Sequence, residues 1–303
     1  MNSFSDGLSI MVIKMNIPEQ FICPFPSPEE VFSEEIERHA KHFLPICSLN
    51  LQFIRPDSEE FWIHFVQPAE IHSGCVGEHT SAFHDRYNFE DSICFDVDEN
   101  GKYRFNGDWR FFILENKEMP SEIKIRITEQ AQKISEKQGM SFEQAAWYKT
   151  PHIYRQDTQE ELENVYRINH LCFNAIKNLY LKYGKFFQGY APIELDSKYT
   201  LEELVALKEA ADSQCQDDGS DRDLIEDAGG LSEGMLEEGF NHIDEMFQEE
   251  YGNLMDTPKR DDGKVFPYVG YLSGYKFQEY GCDELYLFFD ADSKKAVVRL
   301  VYS

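Results

Sequence analysis

Apolar and polar positions alternate along this chain between a helical and a strand period, and the switches divide it into zones. Prolines stud the start, at Pro18, Pro24, Pro26 and Pro28. Ser27-Pro28-Glu29-Glu30 joins a cap residue, a proline at the first helical position and acids in the first turn. That order predicts a helix running to about His42. Leu49–Ile54 and Phe61–Val66 then read as strands around the turn residues Pro56-Asp57-Ser58. Ser92–Phe95 and Lys102–Phe105 flank Asp98-Glu99-Asn100-Gly101 and predict a second hairpin. The apolar run Trp109–Leu114 reads as one more strand of an antiparallel sheet.

From 121 to 190 the period becomes helical. Ser121 can cap a helix ending near Gly139, and Ser141 a short one after it. Thr158-x-x-Glu161 has the form of a capping box. Behind it Leu162, Val165, Ile168, Cys172, Ile176, Leu179 and Tyr183 repeat every three or four residues, up to Gly184. Thr200-x-x-Glu203 starts another helix, residues 212–230 read as an acidic loop, and a helix is expected near 232–251. Strand-like runs return at Tyr268–Leu272, Glu284–Phe289 and Ala296–Tyr302.

The expected class is therefore α+β: antiparallel β-hairpins in the N-terminal third and at the C-terminus, with a helical acidic middle. Residues 1–15 are expected as a disordered extension and 16–118 as a β-rich N-terminal region. Residues 119–303 form the helical region with the acidic segment 200–256 and the C-terminal hairpin. The two β regions either join one sheet or form separate sub-domains within what can be one continuous domain.

Charge changes the picture most. The formal net charge is −27 over 303 residues. Between Thr200 and Asp256 stand 18 acidic residues against Lys208 and Arg222, a net −16. Such a surface repels nucleic acid and anionic membrane and attracts basic partners. Hydrophobic residues at 42% are enough for a folded core. The seven cysteines are scattered without a CxxC, which predicts reduced thiols and a cytoplasmic location. The run Leu8–Ile13 is short, broken by Ser9 and without a basic flank, so no signal peptide is expected. No apolar run approaches the length of a membrane span.

Four stretches could carry chemistry. His72, Cys75, His79 and His84 crowd one glycine-bent loop, 72–85, and are residue types that bind zinc. In the same loop Cys75 could act as a nucleophile with His79 or His84 as its base. Asp108 followed by Glu115-Asn116-Lys117 has the loose form of a metal-dependent nuclease strand, which the overall charge opposes. Asp96-Val97-Asp98-Glu99-Asn100-Gly101 matches half a calcium loop and is better read as a hairpin turn. Gly230-Leu231-Ser232-Glu233-Gly234 spells G-x-S-x-G, but no strand leads into it.

The leading expectation is a non-enzymatic cytoplasmic binding protein that captures a basic protein partner, as an inhibitor or immunity-type protein would. It requires no cofactor. Glu237, Glu238, Asp244, Glu245, Glu249 and Glu250 on one expected helix form its contact face. The alternative is a metal- or cysteine-dependent hydrolase centred on the 72–85 loop.

Overall fold

The structure is a computed structural model that describes residues 17–70, 75–187, 193–194, 198–212, 224–228 and 257–302. The fold is α+β, with antiparallel sheets from both parts of the chain. A three-stranded sheet, in the order β1-β2-β3, holds β1 (Ile22–Pro24), β2 (Phe43–Asn50) and β3 (Trp62–Pro68). A six-stranded sheet holds β4 (Ser92–Val97), β5 (Tyr103–Phe105), β6 (Asp227–Ala228), β7 (Tyr268–Ser273), β8 (Glu284–Asp290) and β9 (Lys295–Val301). Its order is β5-β4-β9-β8-β7-β6. Pairing of β4 with β9, from Ser92↔Arg299 to Asp96↔Lys295, fuses the second hairpin with the C-terminal strands. Of the N-terminal β region, the second hairpin joins the C-terminal strands in one sheet, while β1, β2 and β3 keep a sheet of their own.

Alternation along β8 explains how that sheet buries both faces. Leu285, Leu287 and Phe289 enter the main core, while Tyr286 and Phe288 enter an aromatic cluster with Phe266, Tyr268 and Val297. The main core is shared with the small sheet. Phe43 of β2 meets Phe95 of β4 edge-on at 4.9 Å, and Phe61 stacks on Phe289 at 5.5 Å.

Six helices are described: α1 (Pro28–Val31), α2 (Ile36–His42), α3 (Ser121–Gln138), α4 (Phe142–Lys149), α5 (Gln156–Tyr183) and α6 (Leu201–Asp212). Helix α5 uses two faces. Leu162, Tyr166 and Phe173 pack into the sandwich core, and Ile168, Cys172 and Ala175 pack against Leu204 of α6. Gly184 ends α5 at φ 67, and Thr200 and Glu203 form the expected capping box before α6.

Local expectations fail where tertiary contacts outcompete local pattern. The helix expected from Pro28 to His42 breaks into α1 and α2. Phe32 is fully buried, turns extended and bridges Tyr103. Trp109–Leu114 is not a strand. It forms 3-10 turns at Trp109–Phe111 and Ile113–Glu115, the first capped by Asp108, whose carboxylate accepts from the Arg110 N–H at 2.9 Å. Phe111, Phe112, Ile113 and Leu114 are all buried, so no alternation marks a strand face. Helix α5 begins at Gln156, so Thr158 is a buried residue of its first turn rather than a cap.

The Asp98–Gly101 turn is a hairpin turn as read. The Asp98 carboxylate accepts from the N–H groups of Asn100 and Lys102 at 2.8 and 2.9 Å. Gly101 sits at φ +83, and a Cβ there would meet the Trp62 carbonyl at 2.4 Å. Gly101→Ala is therefore expected to destabilise the protein by about 2–4 kcal/mol. Gly139→Ala, at φ +67 with open space around it, should cost about 1 kcal/mol. Urea unfolding of the two variants measures the difference.

Candidate functional site

Within the 72–85 loop, His72 lies outside the described residues. Gly77, at φ 88, bends the chain into a 3-10 turn over Glu78–Phe83. This sends the two described histidines in separate directions. His84 donates through Nε2 to the Gly77 carbonyl at 2.9 Å. His79 packs its ring on that of His152 at 4.2 Å.

Cys75 joins neither histidine. Its Sγ stands with carboxylate oxygens of Glu90 and Asp91, all within 4.8 Å of one another. Among the described residues this is the one such trio of possible metal ligands. Burial, and then the hydrogen bond and charge of Asp91, push the Cys75 thiol up to about 12. A nucleophilic cysteine needs thiolate, and this environment withholds it.

The acidic contact face, Glu237, Glu238, Asp244, Glu245, Glu249 and Glu250, lies outside the described residues, as does the G-x-S-x-G stretch. The described part of the acidic segment includes α6. Glu202 and Glu203 of its first turn are exposed, while Leu204 anchors it on α5.

The Asp108 and Glu115–Lys117 pattern does not converge on one point. Asp108 grips the Arg110 guanidinium at 2.5 Å, and Lys117 reaches Glu163 at 3.4 Å. Glu115 instead accepts from Arg38 at 2.6 Å, Lys41 at 2.8 Å and His42 at 2.8 Å. Hydrogen bonding from His42, with Lys41 and Arg38, holds its carboxyl far below the usual carboxylate range.

Glu115 ends a polar chain that sequence reasoning missed. His42 Nδ1 lies 2.8 Å from the Tyr166 hydroxyl, which lies 2.9 Å from Glu70 Oε2. Glu70 Oε1 accepts from the Ile113 N–H at 2.9 Å. Glu70, His42 and Tyr166 are buried, and among the described residues no cation pairs with Glu70, Lys41 acting on it only through the field. Burial pushes the Glu70 carboxyl up to about 7 and lowers His42 to about 4. Donor counting explains why the two move in opposite directions. Glu115 needs a proton on His42 Nε2. A neutral His42 then accepts at Nδ1 from Tyr166, so Tyr166 must accept from Glu70, and Glu70 must be protonated. Moving that proton through Tyr166 yields ionised Glu70 and charged His42 with the same total. The chain thus holds one shared proton, and burial places it on Glu70.

Beside Glu115 opens a cavity of about 640 Å³, lined by Lys41, Arg110 and Lys117 and by apolar Phe83, Leu114 and Ile123. Glu115 is the member of the chain that reaches it. With its three donors already in place, Glu115 is a poor proton acceptor, and the chain reads as a structural clamp. The signal for this site was faint: Tyr166 falls one turn after Leu162 on the apolar stripe of α5, a polar tip inside a buried face.

The chain matches no protein-family model, and no curated protein or solved structure is detectably similar to it.

The shared proton has a measurable consequence. Between pH about 4.5 and 6.5 an unfolded chain carries one proton on the histidine, and the folded chain carries one on Glu70. The pair then contributes no slope to stability in that window. In Glu70→Gln the amide replaces the protonated carboxyl, and folded His42 stays neutral down to about 4. Stability of that variant should fall by on the order of 1 kcal/mol per unit as pH drops from 6.5 towards 4.5. Wild type should be shallower by that amount, because the other buried histidines, His39, His64 and His170, act equally in both proteins. Below that range both should lose the stabilisation carried by Glu115, whose folded value is depressed. Denaturant unfolding across pH 4–8 tests all three expectations.

Proposed function

We propose that this protein is a non-enzymatic acidic binding protein that captures a basic protein partner in the cytoplasm, in the manner of an inhibitor or immunity protein. The observation that carries the reading is the charge of residues 200–256, 18 acids against two bases. A field of that sign accelerates encounter with a basic surface and rejects acidic ones. Glu202 and Glu203 extend the acidic surface onto α6, which Leu204 fixes to the body of the fold. Glu237, Glu238, Asp244, Glu245, Glu249 and Glu250 are the assigned contact residues. Among the described residues no helix is long and apolar enough to cross a membrane.

The raised thiol of Cys75 and the separate partners of His79 and His84 weigh against the second reading, a hydrolase centred on the 72–85 loop.

Affinity capture from the native host lysate, washed at low and then high salt, tests the proposal. One stoichiometric basic protein is expected, released by salt because exposed charges are screened within about 10 Å at 0.1 M. Lysine at all six contact positions should weaken capture by at least about 100-fold. Full retention of every partner by that variant would refute the acidic face.

A further inference from the structure

We propose that Cys75, Glu90 and Asp91 form a binding site for one Zn²⁺ ion, which fastens the loop carrying Cys75 to the end of the six-stranded sheet. The donor set is one sulfur and two carboxylates, with ligand atoms within 4.8 Å of one another. In a tetrahedral zinc site bonds run at about 2.0–2.3 Å, which brings ligand atoms to about 3.3–3.8 Å. Small side-chain rotations close the difference. The sulfur gives the site its selectivity, because thiolate favours zinc over magnesium or calcium.

The backbone holds the trio in place before any metal arrives. Asp91 donates its N–H to the Val76 carbonyl at 2.9 Å, and its carboxylate accepts from the Val76 N–H at 3.2 Å. The Asp91 carbonyl accepts from the Leu300 N–H at 3.0 Å, so the same residue is tied to β9. Glu90 and Asp91 are neighbours in sequence, while Cys75 arrives from the other side of the loop.

An independent observation points to a ligand here. The hydroxyl oxygen of Tyr302, just beyond β9, is buried and has no hydrogen-bond partner. Cys282 acts on it electrostatically, followed by Asp91 and Cys75 of the trio. A buried hydroxyl left unpaired costs about 1–3 kcal/mol, and such groups mark missing water or ions. With three protein ligands the fourth zinc position takes a water, a hydrogen-bonding group of the kind the Tyr302 hydroxyl lacks. On binding, Cys75 releases its thiol proton to solvent. The ion then offsets two of the three negative charges gathered there.

This site is not the histidine-rich set expected from the sequence. His79 and His84 are turned to His152 and to the Gly77 carbonyl, and the carboxylates come from a stretch of chain that spacing alone did not connect to Cys75. It is also independent of the acidic capture surface, so the two proposals fail separately.

The test uses the full chain, stripped with chelator and titrated with zinc sulfate by calorimetry, with Co²⁺ absorption to report sulfur ligation. One equivalent of zinc and a thiolate-to-cobalt band are expected for wild type. Cys75→Ser should abolish the band. Glu90→Ala, at an exposed position that does not endanger folding, should weaken zinc binding by about tenfold or more. His79→Ala and His84→Ala should bind as wild type. Absence of a stoichiometric site in wild type overturns the proposal. So does binding that survives both Cys75→Ser and Glu90→Ala, or binding lost in the histidine variants instead.

Discussion

Helices α2 and α5, the end of β3 and the turn at Ile113–Glu115 meet at one buried carboxyl. Glu70 follows β3, accepts the Ile113 N–H and faces Tyr166 of α5, and Tyr166 in turn faces His42 at the end of α2. Among the described residues no cation pairs with Glu70, so the chain of hydrogen bonds must hold one proton to leave every member satisfied. Glu115 closes the chain with Arg38, Lys41 and His42. Four separate stretches of sequence are thereby locked in one register. An apolar replacement could pack as densely, but it would not specify which face of α5 turns inward.

The same folding logic separates the neutral interior from the charged segment. Asn169 of α5 donates to the Ala69 carbonyl at 3.0 Å and accepts from the Tyr280 N–H at 3.1 Å, holding α5 against the chain on either side of it. The opposite face of α5 takes Leu204 of α6, which begins the acidic stretch. A binding function by charge suits this division, because exposed carboxylates need solvent and a partner rather than packing. Three of the charged groups lining the cavity are held by partners: Glu115 by three donors, Arg110 by Asp108 and Lys117 by Glu163.

Much of the fold was legible because it is written in local period and punctuation. The hairpin turn at Asp98–Gly101, the stop at Gly184 and the capping box at Thr200–Glu203 each depend on contacts within four residues. The α+β class followed from those short-range signals. The failures share one cause. Phe32 leaves its helix to pair with Tyr103, 71 positions away, and Phe111–Leu114 is apolar and buried throughout, which erased the alternation that would mark a strand.

The sites divide along the same line. The sequence by itself determined the charge and where it concentrates, because net charge is a sum over residues and needs no coordinates. It also determined that Cys75 sits in a glycine-bent polar loop. Only the tertiary structure decided what Cys75 faces, since Asp91 reaches it through a paired loop and the end of β9. Only the tertiary structure likewise decided that Glu70, His42 and Tyr166 share a proton. Their separations along the chain carry no period, and hydrogen bonds between distant elements exist only once packing has excluded water from around them.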